Sequence, residues 1–227
     1  AEFEFTLVRA NAPIDRYARG ARGAMTDSQK RGALLFFGKG NCVACHAVAG
    51  KSNEMFSDFE MHNIGVPQIA PKFGVGRGNV IFDGPAENQD FGLEQITGNP
   101  ADRYKFRSSP LRNVALQPAF FHNGAFTRLE DAIRHHLDVR ESAMSYDARK
   151  AGVDPDLTAI LAPTDFVLGS LDPQLVRPIH LTDREFDDLV AFVRDGLHDP
   201  KATPKSLCSL IPKSVPSGRP MLFFQGC

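Results

Sequence analysis

Five consecutive residues, Cys42-Val43-Ala44-Cys45-His46, set two thiols and an imidazole within one short loop. Two thiols at this spacing can add across the vinyl groups of a porphyrin, and the imidazole beside them then reaches the iron from one side. Two other chemistries share the spacing. A thioredoxin-like dithiol needs a strand-to-helix setting, and half of a zinc site needs a second Cys or His pair at finger-like separation. The remaining cysteines, Cys208 and Cys227, lie far along the chain, and the segment leading into Cys42 reads as helix then loop. The pattern therefore predicts one covalently held c-type haem, with thioethers at Cys42 and Cys45 and His46 as the proximal iron ligand.

A second iron ligand decides what such a centre does. The candidates are Met55, Met61, His62, His122, His135, His136 and Met144. Most must be bystanders, because a lone His or Met is more often core or surface than ligand. His136 stands out: it shares an i, i+3, i+4, i+7 apolar stripe with Leu129, Ala132 and Ile133. His135, one position earlier, is expected to face solvent. Met144 is the main rival, expected in a loop eight residues on and able to swing over the crevice.

The elements that must carry these groups are helices and loops. A helix signal runs from Thr26 through DSQKRGALLFFGKG, with Asp27 or Ser28 as its N-cap and Gly38 and Gly40 as its stop, and delivers the chain to Cys42. Residues 50–110 are rich in Gly, Pro, Asn and Asp without sustained period and read as irregular loop. A helix follows over 127–137. Another begins at the capping box Thr182-Asp183-Arg184-Glu185 and buries Phe186, Leu189, Val190 and Val193. Phe5, Leu7 and Val8 fit the end of a helix that starts earlier, and no convincing sheet is found. The fold class expected is mainly α: a cytochrome c-like helical haem domain over 26–200, after a connector at 1–25 and before an extended, proline-punctuated tail at 201–227.

Composition bounds the partners. With 26 Lys and Arg against 27 Asp and Glu the formal charge is -1, so nothing in the bulk electrostatics points to nucleic acid or an anionic membrane surface. No apolar run approaches the ~20 residues of a membrane span, and the acidic start lacks the regions of a signal peptide. The sequence reads as soluble and as already processed or cut. Eighteen Phe against three Tyr and no Trp place most aromatic volume without a polar handle, as in core or a haem crevice. Covalent haem attachment of this kind implies the periplasm. A disulfide between Cys208 and Cys227 suits that compartment and would contribute about 3 kcal/mol by loop closure, the alternative being two free buried thiols.

With these residues in hand the chain resembles the bacterial di-haem cytochrome c peroxidase family, including its relative that modifies tryptophans in the methylamine dehydrogenase precursor. The resemblance rests on GALLFFGKGNCVACH (32–46), FSDFEMHNIGVPQ (56–68), TGNPADRYKFRSSPLRNVALQPAFFHNGAF (97–126) and LTDREFDDLVAFVRD (181–195), with TLVRANAPIDRYARG similar to the family's connector between haem domains. It implies that this single-haem chain is the C-terminal half, whose six-coordinate haem accepts electrons, while peroxide and the catalytic glutamate belong to the other half. It also implies a distal ligand at His136, where the peroxidases carry Met and the tryptophan-modifying enzyme Tyr. Calcium, bound in part by backbone carbonyls matching Gln117 and Ala119, is a further implication.

Three functions follow as expectations. The first is a periplasmic peroxidase-type oxidoreductase in which this chain takes electrons from a small periplasmic donor protein and relays them to a peroxide-reducing haem in a second haem-bearing segment or chain. The second is a stand-alone mono-haem electron carrier. The third is a maturation enzyme acting on a protein by long-range oxidation, though without Trp the expected aromatic relay is missing.

Overall fold

A computed structural model describes residues 9–70, 89–160, 164–221 and 227. The expected helix end at Phe5, Leu7 and Val8 lies outside the described residues. Chain order is α1 (Pro13–Ala18), α2 (Asp27–Phe37), β1 (Met61–His62), β2 (Ile69–Ala70), α3 (Glu94–Thr97), β3 (Phe106–Arg107), α4 (Leu129–Leu137), α5 (Val139–Met144), β4 (Ala159–Ile160), α6 (Thr164–Leu168), α7 (Asp183–Ala191) and α8 (Pro204–Cys208), with short 3-10 turns between. The mainly helical class expected from the sequence is what the structure shows. Among the described residues, strand structure amounts to two antiparallel two-residue pairs, β1 with β3 and β2 with β4, and two isolated bridges.

Helices α2 and α7 form the spine that carries the Cys42 loop. Each starts on a capping box: Thr26 accepts from Gln29 N and Thr182 from Glu185 N, while the Gln29 and Glu185 side chains return to the cap N–H. Such reciprocal caps satisfy two orphan donors at once. The cap of α2 is thus Thr26, not Asp27 or Ser28, because only Thr26 keeps the extended backbone an N-cap needs. Gly32 lets the helices touch, since a Cβ there would sit 1.9 Å from the Asp188 carbonyl oxygen. Across the same contact Arg31 makes a forked ion pair with Asp188, at 2.6 and 2.8 Å.

The core lies where this pair meets the loop region. Phe36, Phe56 and Phe192 are buried and their rings pack edge-on, 5.4 to 6.5 Å apart. Phe186, Leu189, Val190 and Val193 form the buried stripe the sequence predicts. After Ala191 the helix widens into a π turn, Phe192–Gly196. The described part of the N-terminal segment is stitched to this body: Arg112 holds Asp15 with two 2.7 Å bonds, both side chains being buried, and Asn11 N donates to Asp199. The tail is not wholly extended. Thr203 caps the single turn α8, and Cys208 is bonded to Cys227.

Candidate functional site

Helix α2 ends at Gly38, and the chain reverses through Gly40, whose N–H donates to Leu35 O at 2.7 Å and where a Cβ would lie 2.8 Å from that same oxygen. Asn41 follows in the left-handed region, and Cys42–Ala44 form one 3-10 turn closed by His46 N donating to Cys42 O at 2.9 Å. This turn packs Cys42 against the core and leaves Cys45 and His46 half-buried beside it. Burial pushes the Cys42 thiol up to about 12, and burial with Asp172 and Asp58 pushes Cys45 up to about 11. Both are therefore thiols rather than thiolates at neutral pH, the opposite of the activated dithiol that a thioredoxin-like reading requires.

His46 is oriented from outside its own turn. Its Nδ1–H donates to the carbonyl of Phe56 at 3.0 Å, and Phe56 holds a left-handed backbone, φ 58°. Asp58 N donates to Cys45 O at 2.8 Å, tying the same stretch to the loop. Burial, then the neighbouring His136, lowers the His46 pKa to about 4, so the ring is a neutral imidazole.

His136 faces it from α4. Its Nδ1–H donates to Ala132 O, one turn back, at 2.8 Å, and burial lowers its pKa as well. The two ring centres are 6.2 Å apart with planes at 62°. Among the described residues neither Nε2 has a hydrogen-bond partner. An Nδ1–H held by a backbone carbonyl with Nε2 left over is the second-shell arrangement of a metal-binding histidine. Two imidazoles in line on one metal, with bonds of about 2 Å each, have ring centres about 6 Å apart. At this spacing His46 and His136 would be the residues to hold one metal ion, beside two thiols able to anchor a porphyrin.

The other candidates fall elsewhere. His135 does not face solvent: it is fully buried, its Nε2–H donates to Ile64 O at 2.8 Å, and Ser142 Oγ donates to its Nδ1 at 3.0 Å. Burial lowers its pKa to about 3, and with both nitrogens engaged it has no lone pair to offer. The helical stripe covers enough arc to bury both neighbours, which the sequence reading missed. Met144 closes α5 instead of occupying a loop, and it is 56% exposed. Met61 lies exposed on β1, Met55 is half-buried, and His122 stacks face to face on Phe106. His62 is held between two carboxylates, Asp58 at 2.9 Å and Asp172 at 2.7 Å. Gln117 and Ala119 lie on an exposed stretch after a 3-10 turn. Sequence reasoning missed Phe56, whose carbonyl aims His46, because nothing in a residue's type announces a left-handed backbone.

No protein-family profile matches the chain. Cytochrome-c peroxidase IdrP1 of Pseudomonas sp. (strain SCT) is 31% identical over 207 residues, covering 85% of this chain and 46% of that protein. Methylamine utilization protein MauG of Methylorubrum extorquens is 29% identical over 202 residues, covering 89% and 44%. The crystal structure of the diheme peroxidase BthA from Burkholderia thailandensis superposes with a TM-score of 0.56 at 25% identity, over 84% of this chain and 47% of that one. The chain spans about half the length of the curated relatives it matches. With the Cys42 loop, the opposed imidazoles and these likenesses together, the chain belongs to the di-haem cytochrome c peroxidase family.

Proposed function

We propose that this chain is the electron-accepting half of a periplasmic di-haem peroxidase, holding one haem c through thioethers at Cys42 and Cys45, with His46 proximal and His136 distal. The observation that carries the reading is the 6.2 Å pair of imidazoles, each aimed by a backbone carbonyl. When bound, haem supplies one-electron ferric–ferrous chemistry. The residues of this chain orient the two imidazoles, keep both neutral and set the Phe121 ring 5.5 Å from that of His136. In this reading the chain draws electrons from a small periplasmic donor protein and passes them to a peroxide-reducing haem on a second segment. The backbone carbonyls of Gln117 and Ala119, both exposed residues, are the calcium donors proposed for the junction between the two. Among the described residues, no helix is long and apolar enough to cross a membrane.

The test is spectroscopic and compositional. Haem-stained denaturing gels should show covalent haem, and the ferric spectrum should be low-spin without the weak long-wavelength sulfur band of Met ligation. Loss of the low-spin state in Met144→Ala but not in His136→Ala would transfer the distal role to Met144. The isolated chain should reduce hydrogen peroxide poorly, and turnover on the order of 10 per second or more would overturn the relay role.

A second reading, a stand-alone mono-haem electron carrier, is favoured by one feature: with His46 and His136 6.2 Å apart, both imidazoles would hold the iron, which would leave peroxide no open position. A haem count with intact mass on natively purified material separates the two, because only the first requires a companion haem segment.

A further inference from the structure

Beside Cys45 lies a second polar cluster that the ligand set does not use. His62 Nδ1 is 2.7 Å from Asp172 and 3.8 Å from Cys45 Sγ, while its Nε2 is 2.9 Å from Asp58. All three side chains are less than a fifth exposed. Cys45, Asp58 and His62 have the residue types and proximity of a metal site, but both nitrogens of His62 already face carboxylates, and thioether formation would consume the Cys45 thiol. Ionised carboxylates only accept hydrogen bonds, so a ring that meets one at each nitrogen carries a proton on both. Burial alone would lower its pKa, yet the bonds to Asp172 and Asp58 outweigh that and raise it.

The cluster is bolted to the attachment loop by main chain as well as side chain. Asp58 N donates to Cys45 O at 2.8 Å, Asp172 N donates to Asn63 O at 2.9 Å, and Asn41 reaches Gln174 of the Asp172 turn at 3.0 Å. One imidazolium between two carboxylates leaves one net negative charge fixed next to the second thioether position, largely withdrawn from solvent. Charges withdrawn from water act over distance with little screening.

We propose that His62 is a positioning residue whose positive charge, sandwiched between Asp58 and Asp172, sets the reduction potential of the haem anchored at Cys45. The proposal rests on the haem reading above. Reduction removes one positive charge from the iron, so added negative charge nearby favours the ferric form and removed negative charge favours the ferrous form. His62→Gln keeps a hydrogen-bonding side chain but takes away the cation, and it should lower the potential. Asp172→Asn takes away one anion and should raise it.

The experiment is a redox titration of the full haem-loaded chain at about pH 6, below the ordinary histidine value of about 6.5 from which the flanking carboxylates raise His62. At one fixed ambient potential the ferric-to-ferrous ratio should rise about three- to tenfold in His62→Gln and fall by a similar factor in Asp172→Asn. Shifts of opposite sign mark the electrostatic role, because loosening the loop moves both variants the same way. Asp58→Asn, which also removes one anion, provides the upward arm if Asp172→Asn does not fold. Shifts of the same sign, or none, overturn the proposal while the haem reading stands. A wild-type chain without covalent haem overturns both.

Discussion

His46 leaves a loop and His136 leaves a helix, and the two sides reach the same orientation by different means. On the loop side the orienting carbonyl comes from Phe56, ten residues away, in a backbone conformation that costs free energy for a bulky side chain. On the helix side it comes from Ala132, one turn earlier on the same element. A helix supplies a carbonyl at a fixed place for free, whereas a loop must be held by everything around it. The loop side therefore depends on tertiary structure, here the α2–α7 spine, and the helix side mainly on local geometry.

The largest effects should come from the imidazoles themselves. In the proposed reading His46 seats the haem beside the two thiols, so His46→Ala should yield little haem-loaded protein, whereas His136→Ala should load normally and turn high-spin. Haem content per chain and the ferric visible spectrum check both halves. Equal loss of loading in the two variants would erase the distinction between loop and helix.

Next is Gly32→Ala, aimed at the spine beneath the loop side. The added methyl meets a backbone oxygen that cannot rotate away, so overpacking should cost about 3 kcal/mol. Urea unfolding measures it. Because α2 feeds directly into the Cys42 turn, the loss should be accompanied by poorer haem loading, while Ala132 and its helix remain as they are.

Asp188→Asn acts on the same contact more gently. Hydrogen bonding from Arg31 holds the Asp188 carboxyl below its usual range against the opposing effect of burial. A carboxylate with a depressed folded pKa contributes stability above its unfolded value of about 3.9, and that contribution is lost as pH falls through the folded value. The wild type should thus lose stability steeply below about pH 4. Asp188→Asn should be about 1 to 2 kcal/mol less stable at neutral pH and flatter in acid. Urea midpoints across pH 2 to 7 decide it, an unchanged acid slope counting against the spine's role.

How much of this was legible beforehand differs by side. The Cys42-x-x-Cys45-His46 spacing announced a tight turn that groups two thiols and an imidazole, and the Thr182–Glu185 box announced α7, because both signals are local. The apolar stripe on α4 pointed to His136 but sent His135 outward, since periodicity ranks positions around a helix and cannot say how wide an arc the neighbours bury. The Asp172 flank of His62 was hidden for another reason: a contact 110 residues apart leaves no mark in spacing. Phe56 was invisible because its backbone conformation is imposed by the loop as a whole.

The smallest effect is expected far from both imidazoles, in the tail. Cys208 and Cys227 are bonded across 19 residues, with Cα atoms 5.3 Å apart, and closing a loop of this length removes about 3 kcal/mol of unfolded-chain entropy. That stabilisation belongs only to the unit whose unfolding opens the loop. Helix α8 is a single turn, and the described residues between it and Cys227 are mostly exposed, so the tail can open while the α2–α7 core stays closed. Cys227→Ser should leave the haem spectrum and the main thermal transition unchanged and speed proteolysis after residue 203. Were the tail part of the cooperative unit, the same substitution would lower the transition by roughly 6 to 12 °C. A drop of that size would mean that the loop side's tertiary support extends to the C-terminus, through Asp199 and the Asn11 and Asn113 contacts it makes.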